Sequence, residues 1–128
     1  MPEPSMPQPS PYLGTITVDA RDGRALARWW AQVLLGRVDE YTEADAYVVR
    51  ADTLRGINLN FQTVDAPTPG KNRMHLDLGA DDRAAVVQRL VGLGATVLHD
   101  GEVAGLAWTT LTDPEGNQFC VSDPAPTP

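Results

Sequence analysis

The sequence predicts an α+β domain made of two βαβββ modules in tandem. The order of one strand, one helix and three short strands occurs twice along the chain. A loop rich in proline and glycine, residues 65–72, separates the two runs. We therefore expect module one over residues 12–64 and module two over residues 73–122. A chain of 128 residues, 42% of them hydrophobic, is enough to bury the core of one such domain.

Module one is predicted from alternation followed by helical periodicity. In residues 13–20, Ile16 and Val18 alternate with polar side chains, as in a half-buried strand. Asp22 is the expected N-cap of the next element, a helix, and Gly36 is its expected end. Three short strands are predicted around residues 37–41, 46–50 and 56–64. The apolar face of the helix, which places at least one tryptophan in the core, consists of Leu26, Trp29, Trp30, Val33 and Leu34.

Module two repeats this order. A strand over residues 73–78 precedes a helix over residues 81–94, and strands are predicted near 96–99, 103–112 and 117–122. The turn Asp113-Pro114-Glu115-Gly116-Asn117 predicts a tight hairpin, because proline presets the first turn dihedral and glycine takes the left-handed conformation. The apolar face of the second helix consists of Val86, Val87, Leu90 and Leu93.

The ends and the charge of the chain narrow the class of protein. Closely spaced prolines in residues 1–11 and 123–128 predict disordered tails. Ten basic against seventeen acidic residues give a net charge of −7, which disfavours nucleic acid and anionic membrane surfaces as partners. No apolar run is long enough to span a membrane, and the amino terminus does not resemble a signal peptide. Because Cys120 is the single cysteine, no internal disulfide forms and a cytoplasmic location is expected.

Several motifs together resemble one superfamily. They are His75-Leu76-Asp77-Leu78, the segment from Leu93 to Val97, the strand that contains Trp108, and the hairpin turn at residues 113–117. The first-module counterpart is residues 25–30 followed by residues 33–36. This set is similar to the vicinal oxygen chelate superfamily, and most of all to its bacterial glyoxalase-like and bleomycin-resistance-like members. The resemblance covers nearly the whole ordered region. It implies a curved mixed sheet around a ligand cavity, with the helices on the outer face.

Alternation along the strands then assigns side chains to that cavity. Apolar residues such as Leu76, Leu78 and Phe119 are expected to face the helices, and the polar residues between them to face inward. Asp77 joins this inward set beside His75, whereas Trp108 and Tyr47 are expected either in the cavity or at a subunit interface. The predicted ligand contacts are Thr17, Asp19, Tyr47, Asn58, Asn60, Gln62, His75, Trp108 and Cys120.

The resemblance also implies where a metal would bind. Metal-using relatives take their ligands from the first and last strands of each module, and matching the modules assigns these positions to Thr17, Gln62, His75 and Cys120. Threonine and glutamine are weak ligands for the divalent ions that such sites hold. We therefore expect no cofactor. His75 and Cys120 are the remaining candidate metal ligands, with Asp19 or Asp77 as a possible carboxylate.

Individual residues leave alternatives open. His75 either contacts ligand or is a structural histidine held by Asp77. Cys120 is either a nucleophile or, as we favour, a small buried filler, since no base stands near it in the sequence. The acidic cluster of Asp39, Glu40, Glu43 and Asp45 is either a solvated strand edge or an attractant for a cationic ligand.

Three hypotheses of function follow. The first is a metal-independent protein that binds, and in that way sequesters, an aromatic or cationic small molecule. The second is a glyoxalase-like isomerase or lyase that uses His75 with Asp77 as a general acid/base pair. The third is an accessory or regulatory module with a vestigial cavity. Free sheet edges and the resemblance both predict a homodimer.

Overall fold

The computed structural model describes residues 9–124 and contains the two predicted βαβββ modules. The predicted tails at residues 1–8 and 125–128 lie outside the described residues. Module one consists of β1 (Thr15–Ala20), α1 (Gly23–Leu34), β2 (Arg37–Tyr41), β3 (Ala46–Arg50) and β4 (Asn58–Thr63). Its strands form a mixed sheet in the order β1-β4-β3-β2, with β1 parallel to β4.

Module two has the same topology. It consists of β5 (Leu76–Gly79), α2 (Arg83–Gly92), β6 (Thr96–Val103), β7 (Leu106–Thr112) and β8 (Gln118–Ser122), in the strand order β5-β8-β7-β6. The two modules therefore form two separate four-stranded sheets. No helix in the described part of the chain has the length and apolar character needed to cross a membrane.

The β6–β7 hairpin differs from the prediction. Strands were expected at residues 96–99 and 103–112, but β6 continues to Val103 and pairs with Leu106. The loop between them is Ala104-Gly105, with φ of 52° and 82°. A two-residue loop of type I′ has positive φ at both positions, which alanine rarely adopts, so residue 104 carries no turn signal in the sequence.

The ends of α1 confirm one prediction and correct another. Asp22 is the N-cap, since its Oδ1 accepts a hydrogen bond from the amide of Ala25 at 3.1 Å. The left-handed residue at the carboxyl end is Leu35, with φ of 58°, and not Gly36. Gly36 is required for a different reason: a Cβ there would lie 2.4 Å from the carbonyl oxygen of Arg50. The glycine thus allows the connection between α1 and β2 to pass close to the end of β3.

The two tryptophans of α1 join the modules. Both are buried, and Trp30 stacks on Phe61 of its own module with ring centroids 6.5 Å apart. On the other side, Trp30 contacts Phe119 of module two edge to face at 4.9 Å. Trp29 donates a hydrogen bond from Nε1 to the carbonyl of Leu93 at 2.8 Å. Aromatic burial and hydrogen bonds from α1 therefore fix the position of module two.

Asp113 completes the joint between the modules. Its carboxylate is 4% exposed and accepts hydrogen bonds from Trp30 Nε1 at 3.0 Å and from the amides of Glu115 and Asn117 at 3.0 and 2.9 Å. The next acid in the turn, Glu115, accepts from the amide of Arg21 at 2.7 Å, just before α1. The predicted hairpin turn is therefore also an inter-module clamp.

The carboxyl boundary of the domain lies slightly beyond the predicted one. Asp123, which was assigned to the tail, donates its amide to the carbonyl of Ala107 at 2.9 Å. Its carboxylate accepts from Arg83 Nε at 3.2 Å. These bonds attach residue 123 to the sheet and to α2.

Replacing Asp113 with alanine should lower the free energy of unfolding by about 3 kcal/mol, because one buried donor and three partly buried donors lose their acceptor at once. Trp30→Phe, which removes the indole N–H together with part of a buried ring, should cost about 2 kcal/mol. Urea unfolding followed by tryptophan fluorescence and circular dichroism measures both. Asp81→Ala, at an exposed position, is the matched control. Equal stability of the Asp113 and Asp81 variants would contradict the clamp.

Candidate functional site

One row of polar side chains crosses all four strands of module two. The strand register places Asp77 beside Cys120, Cys120 beside Thr110, and Thr110 beside His99. Their neighbours Leu78, Val121 and Leu111 pack into the core on the helix side. The predicted alternation in this module is therefore confirmed, and the polar row lies on the concave face away from α2.

Trp108 lies on the same face, one step from Thr110 along β7. Its register partner on β6 is Gly101. A Cβ at residue 101 would lie 2.3 Å from Cζ2 of Trp108, so the indole rests directly against the glycine backbone. Residue 101 must be glycine because the Trp108 ring approaches its backbone so closely. This contact holds the ring across β6.

These residues line a cavity of about 370 Å³, called here the concave cavity. An indole, two imidazoles, a thiol, a carboxylate and a hydroxyl converge on it. Cavities of this size with an aromatic wall and a few converging polar groups are typical of small-molecule sites. Its main lining residues are His75, Asp77, His99, Trp108, Thr110 and Cys120.

His75, Asp77 and Cys120 form a compact cluster within it. Each offers a ligating atom within 4.8 Å of the others. His75 Nδ1 lies 2.8 Å from Asp77 Oδ1, and Cys120 Sγ lies 3.4 Å from the Thr110 hydroxyl. Sequence reasoning found no base near Cys120, because His75 is remote along the chain. The parallel pairing of β5 with β8 brings the two together.

Sequence reasoning also left out His99 and Thr110 as site residues. Thr110 could have been found by the alternation that starts at Trp108. His99 could not, because its position opposite Thr110 depends on the Ala104-Gly105 hairpin and on a register shift between Val97 and His99.

The predicted amides of module one are separate from the concave cavity. Asn58 Oδ1 accepts from Arg50 at 3.0 Å and lines a different cavity at the end of β3. Gln62 donates to the carbonyl of Ala44 at 2.7 Å, and Asn60 donates to Thr17 Oγ1 at 3.4 Å. Their face is the one predicted by alternation. All three side chains bond within their own module.

Three other predicted residues are placed as follows. Asp19 is exposed at the end of β1, and Thr17 lines a cavity between β1 and β5. Tyr47 does not face the cavity. It is 5% exposed, it stands beside Phe61 in the strand register, and the Arg24 guanidinium lies over its ring at 5.2 Å, near the start of α1.

Tyr47 is misassigned because tyrosine is compatible with either face of a strand. Its hydroxyl donates to Asp45 at 2.9 Å, and this hydrogen bond raises the pKa of Tyr47. Other members of the acidic cluster are also paired: Asp39 with Arg50, and Glu40 with Arg24. These ion pairs favour the interpretation of the acidic cluster as a stabilised strand edge over its interpretation as an attractant for a cationic ligand.

The comparisons with known proteins agree with this architecture. The model of the glyoxalase-like domain family matches residues 15–122, which is most of the chain. The chain belongs to the glyoxalase-like domain family. This confirms the resemblance seen in the motifs. No curated protein matches the sequence.

Solved structures share the glyoxalase-like fold at low sequence identity. A glyoxalase/bleomycin resistance protein/dioxygenase family enzyme from Burkholderia phytofirmans is 19% identical, with a TM-score of 0.71 over 87% of this chain and 97% of its own. A superfamily member from Sphaerobacter thermophilus is 16% identical, with a TM-score of 0.70 over 89% and 98%. A lactoylglutathione lyase from Agrobacterium tumefaciens is 18% identical, with a TM-score of 0.66 over 91% and 96%. At these identities the likeness shows the fold alone.

The structure corrects the match between the two glyoxalase-like modules. The N-caps Asp22 and Asp82 are equivalent positions in the two modules. The same number of residues separates Ile16 from Leu76 and Leu59 from Phe119, which are paired in the same way within each sheet. By the same interval, the counterpart of His75 is Thr15 and that of Cys120 is Asn60. The predicted counterparts, Thr17 and Gln62, are each two residues too late. The pattern of alternation is unchanged by a two-residue shift, so the sequence could not fix it.

The residues present do not fit the metal that glyoxalase-like relatives use. Module one offers neutral oxygens from Thr15 and Asn60 at the corresponding positions, and these are weak ligands. The 2.8 Å contact of His75 with Asp77 is a hydrogen bond, shorter than the roughly 3.4 Å that separates two ligands around a tetrahedral zinc ion. Among the described residues, this cluster then offers His75 Nε2 and Cys120 Sγ as its strong ligands. Catalytic zinc sites have three.

Gly101→Ala should displace the Trp108 indole from β6, since the added methyl overlaps the ring. We expect a loss of about 2 kcal/mol in unfolding free energy and a shift in tryptophan emission. Gly79→Ala is the matched control, because a Cβ on that strand residue meets nothing within 4 Å. A Gly101 variant as stable as the Gly79 variant, with unchanged emission, would show that the ring does not rest on the glycine.

Proposed function

We propose that the chain is a small-molecule binding protein that takes an aromatic compound into the concave cavity without a metal. The observation that carries this proposal is the convergence of the Trp108 indole with the polar row of module two on one concave face. The indole supplies a stacking surface, and His75, His99 and Thr110 supply hydrogen-bonding groups that orient polar substituents. Sequestration of such a compound is the role that this arrangement supports best.

The lining favours an aromatic ligand over a strongly cationic one. Asp77 is the carboxylate that faces the cavity, and Lys71 at the rim carries the opposite charge. The acids expected to attract a cation lie on module one, where Asp39 and Glu40 are paired with arginines. A fully charged cation would therefore meet little net negative charge at the site.

Trp108→Ala should weaken the binding of phenol and indole about fivefold, because stacking on an indole contributes on the order of 1 kcal/mol. His75→Ala should weaken the binding of phenol more than that of indole, because the imidazole accepts a hydrogen bond from the phenolic hydroxyl. Isothermal titration calorimetry measures both. Tyr41→Ala, an exposed aromatic on module one, is the control. Affinities unchanged by both cavity variants would refute the proposal.

A second function is favoured by one observation, the 2.8 Å contact between His75 and Asp77. When Nδ1 donates its proton to the carboxylate, Nε2 is left as a proton acceptor facing the cavity. This pair would move a proton on a carbon next to a carbonyl group, as in an isomerase or lyase.

An assay for the formation of lactoylglutathione tests this second function. Formation that is abolished by His75→Ala and reduced by Asp77→Asn but not by His99→Ala would establish it. Binding of the reactants without turnover would exclude it.

We also propose a homodimer that pairs through β6. This strand is a free edge of its sheet, and it exposes Val97, Leu98 and Val103 by 44–65%. Apolar free edges favour pairing with another strand. A second copy there would cover the open His99 side of the concave cavity.

Sedimentation velocity at micromolar concentration should give the mass of two chains. Val103→Lys should shift the protein to a monomer, because a charge on each copy then faces the other across the edge. Val91→Lys, at a similarly exposed position on α2, should leave the dimer intact. A monomeric wild type would count against the proposal.

A further inference from the structure

A second cavity lies between the two modules. It has a volume of about 550 Å³ and extends between β1 and β5; we call it the seam cavity. Its floor is aromatic, made of Trp30, Phe61 and Phe119, each exposed by 2% or less. Ile16 and Leu76 form part of its sides. The seam cavity is therefore much more apolar than the concave cavity.

The seam cavity follows from how the modules are joined. Among residues 9–124, β1 pairs with β4 and β5 pairs with β8, and no ladder joins β1 to β5 across the space between them. The modules are held instead by Trp30 and the Asp113 turn, which lie beneath the sheets. The joint thus leaves core side chains as the floor of an open slot.

The two cavities meet at common residues. His75, Gln118 and Phe119 line both. A molecule in the concave cavity therefore has a direct neighbour in the seam cavity, with the His75 side chain at the boundary. Beyond this boundary the buried floor of the seam cavity is apolar, although Thr15, Thr17 and Arg73, which are exposed, also line it.

We propose that the seam cavity is an apolar subsite of the same ligand site, so that the ligand is amphipathic. Resting on the function proposed above, this assigns the polar aromatic end of the ligand to the concave cavity. An alkyl or similar apolar substituent occupies the seam cavity. The Asp113 carboxylate at its wall offers no free charge to a ligand, since it already accepts from Trp30, Glu115 and Asn117. The guanidinium of Arg73, which also lines the cavity, belongs to an exposed residue, so the buried part of the cavity fits an uncharged apolar group.

The test is a series of probes that share a head and differ in their tail: phenol, 4-ethylphenol, 4-butylphenol and 4-hexylphenol. The dissociation constant should fall about fourfold for each added methylene until the cavity is filled. Thr15→Phe, at an exposed strand position that lines the seam cavity, should abolish this gain. Leu13→Phe is a second blocking variant at the same cavity, should Thr15→Phe fail to fold. Thr42→Phe, exposed in the turn before β3, is the matched control and should retain the gain.

The outcomes separate the two proposals. A gain per methylene that Thr15→Phe removes and Thr42→Phe keeps, with phenol binding weakened by Trp108→Ala, supports the shared site. The seam subsite is overturned if affinity does not rise with tail length, or if the rise in affinity survives Thr15→Phe. In either case the proposed function still stands, provided that phenol binding depends on Trp108. A gain blocked by Thr15→Phe while phenol ignores both Trp108→Ala and His75→Ala overturns both, because the tail would then bind a separate site.

Discussion

The hydrogen bond from the Trp30 indole to the buried carboxylate of Asp113 sets the relation between the two halves of the molecule. A buried carboxylate is stable only when donors surround it, and here they come from α1 and from the β7–β8 turn. The turn is therefore fixed to the helix of the other module. Glu115 adds a second link at the start of α1. Because these bonds lie beneath the sheets, the strand edges above them stay apart.

The chemistry of the site follows from a division of each strand into two faces. In module two the helix side takes Val121, Phe119 and Leu111, so the alternate residues are free to be polar. The parallel and antiparallel ladders then bring side chains from four strands into one row. A row formed in this way needs no sequence motif. This division of the strands explains why the chain still presents an ordered polar surface, although two of its four positions that correspond to metal ligands hold the neutral residues Thr15 and Asn60.

Periodicity was sufficient to predict both helices, the order of helix and strands along each module, and the inward face of β5 and β8. It was insufficient wherever pairing or left-handed backbone decides the outcome. Ala104 in the β6–β7 hairpin and Leu35 at the end of α1 both have positive φ, which alanine and leucine rarely adopt. Tyr47 was placed on the wrong face because an aromatic residue fits either side of a strand. The shift from Thr17 to Thr15 is invisible to a period of two.

The metal content of the purified protein is the most direct test of a metal-free site on module two. Cells would be grown with added nickel, manganese, iron and zinc, and the wild type compared with His75→Ala by elemental analysis. We expect far less than one metal per chain in both proteins, with no difference between them. A near-stoichiometric metal in the wild type that is lost in His75→Ala would contradict a metal-free site, because His75 Nε2 can bind a metal while Nδ1 keeps its hydrogen bond to Asp77.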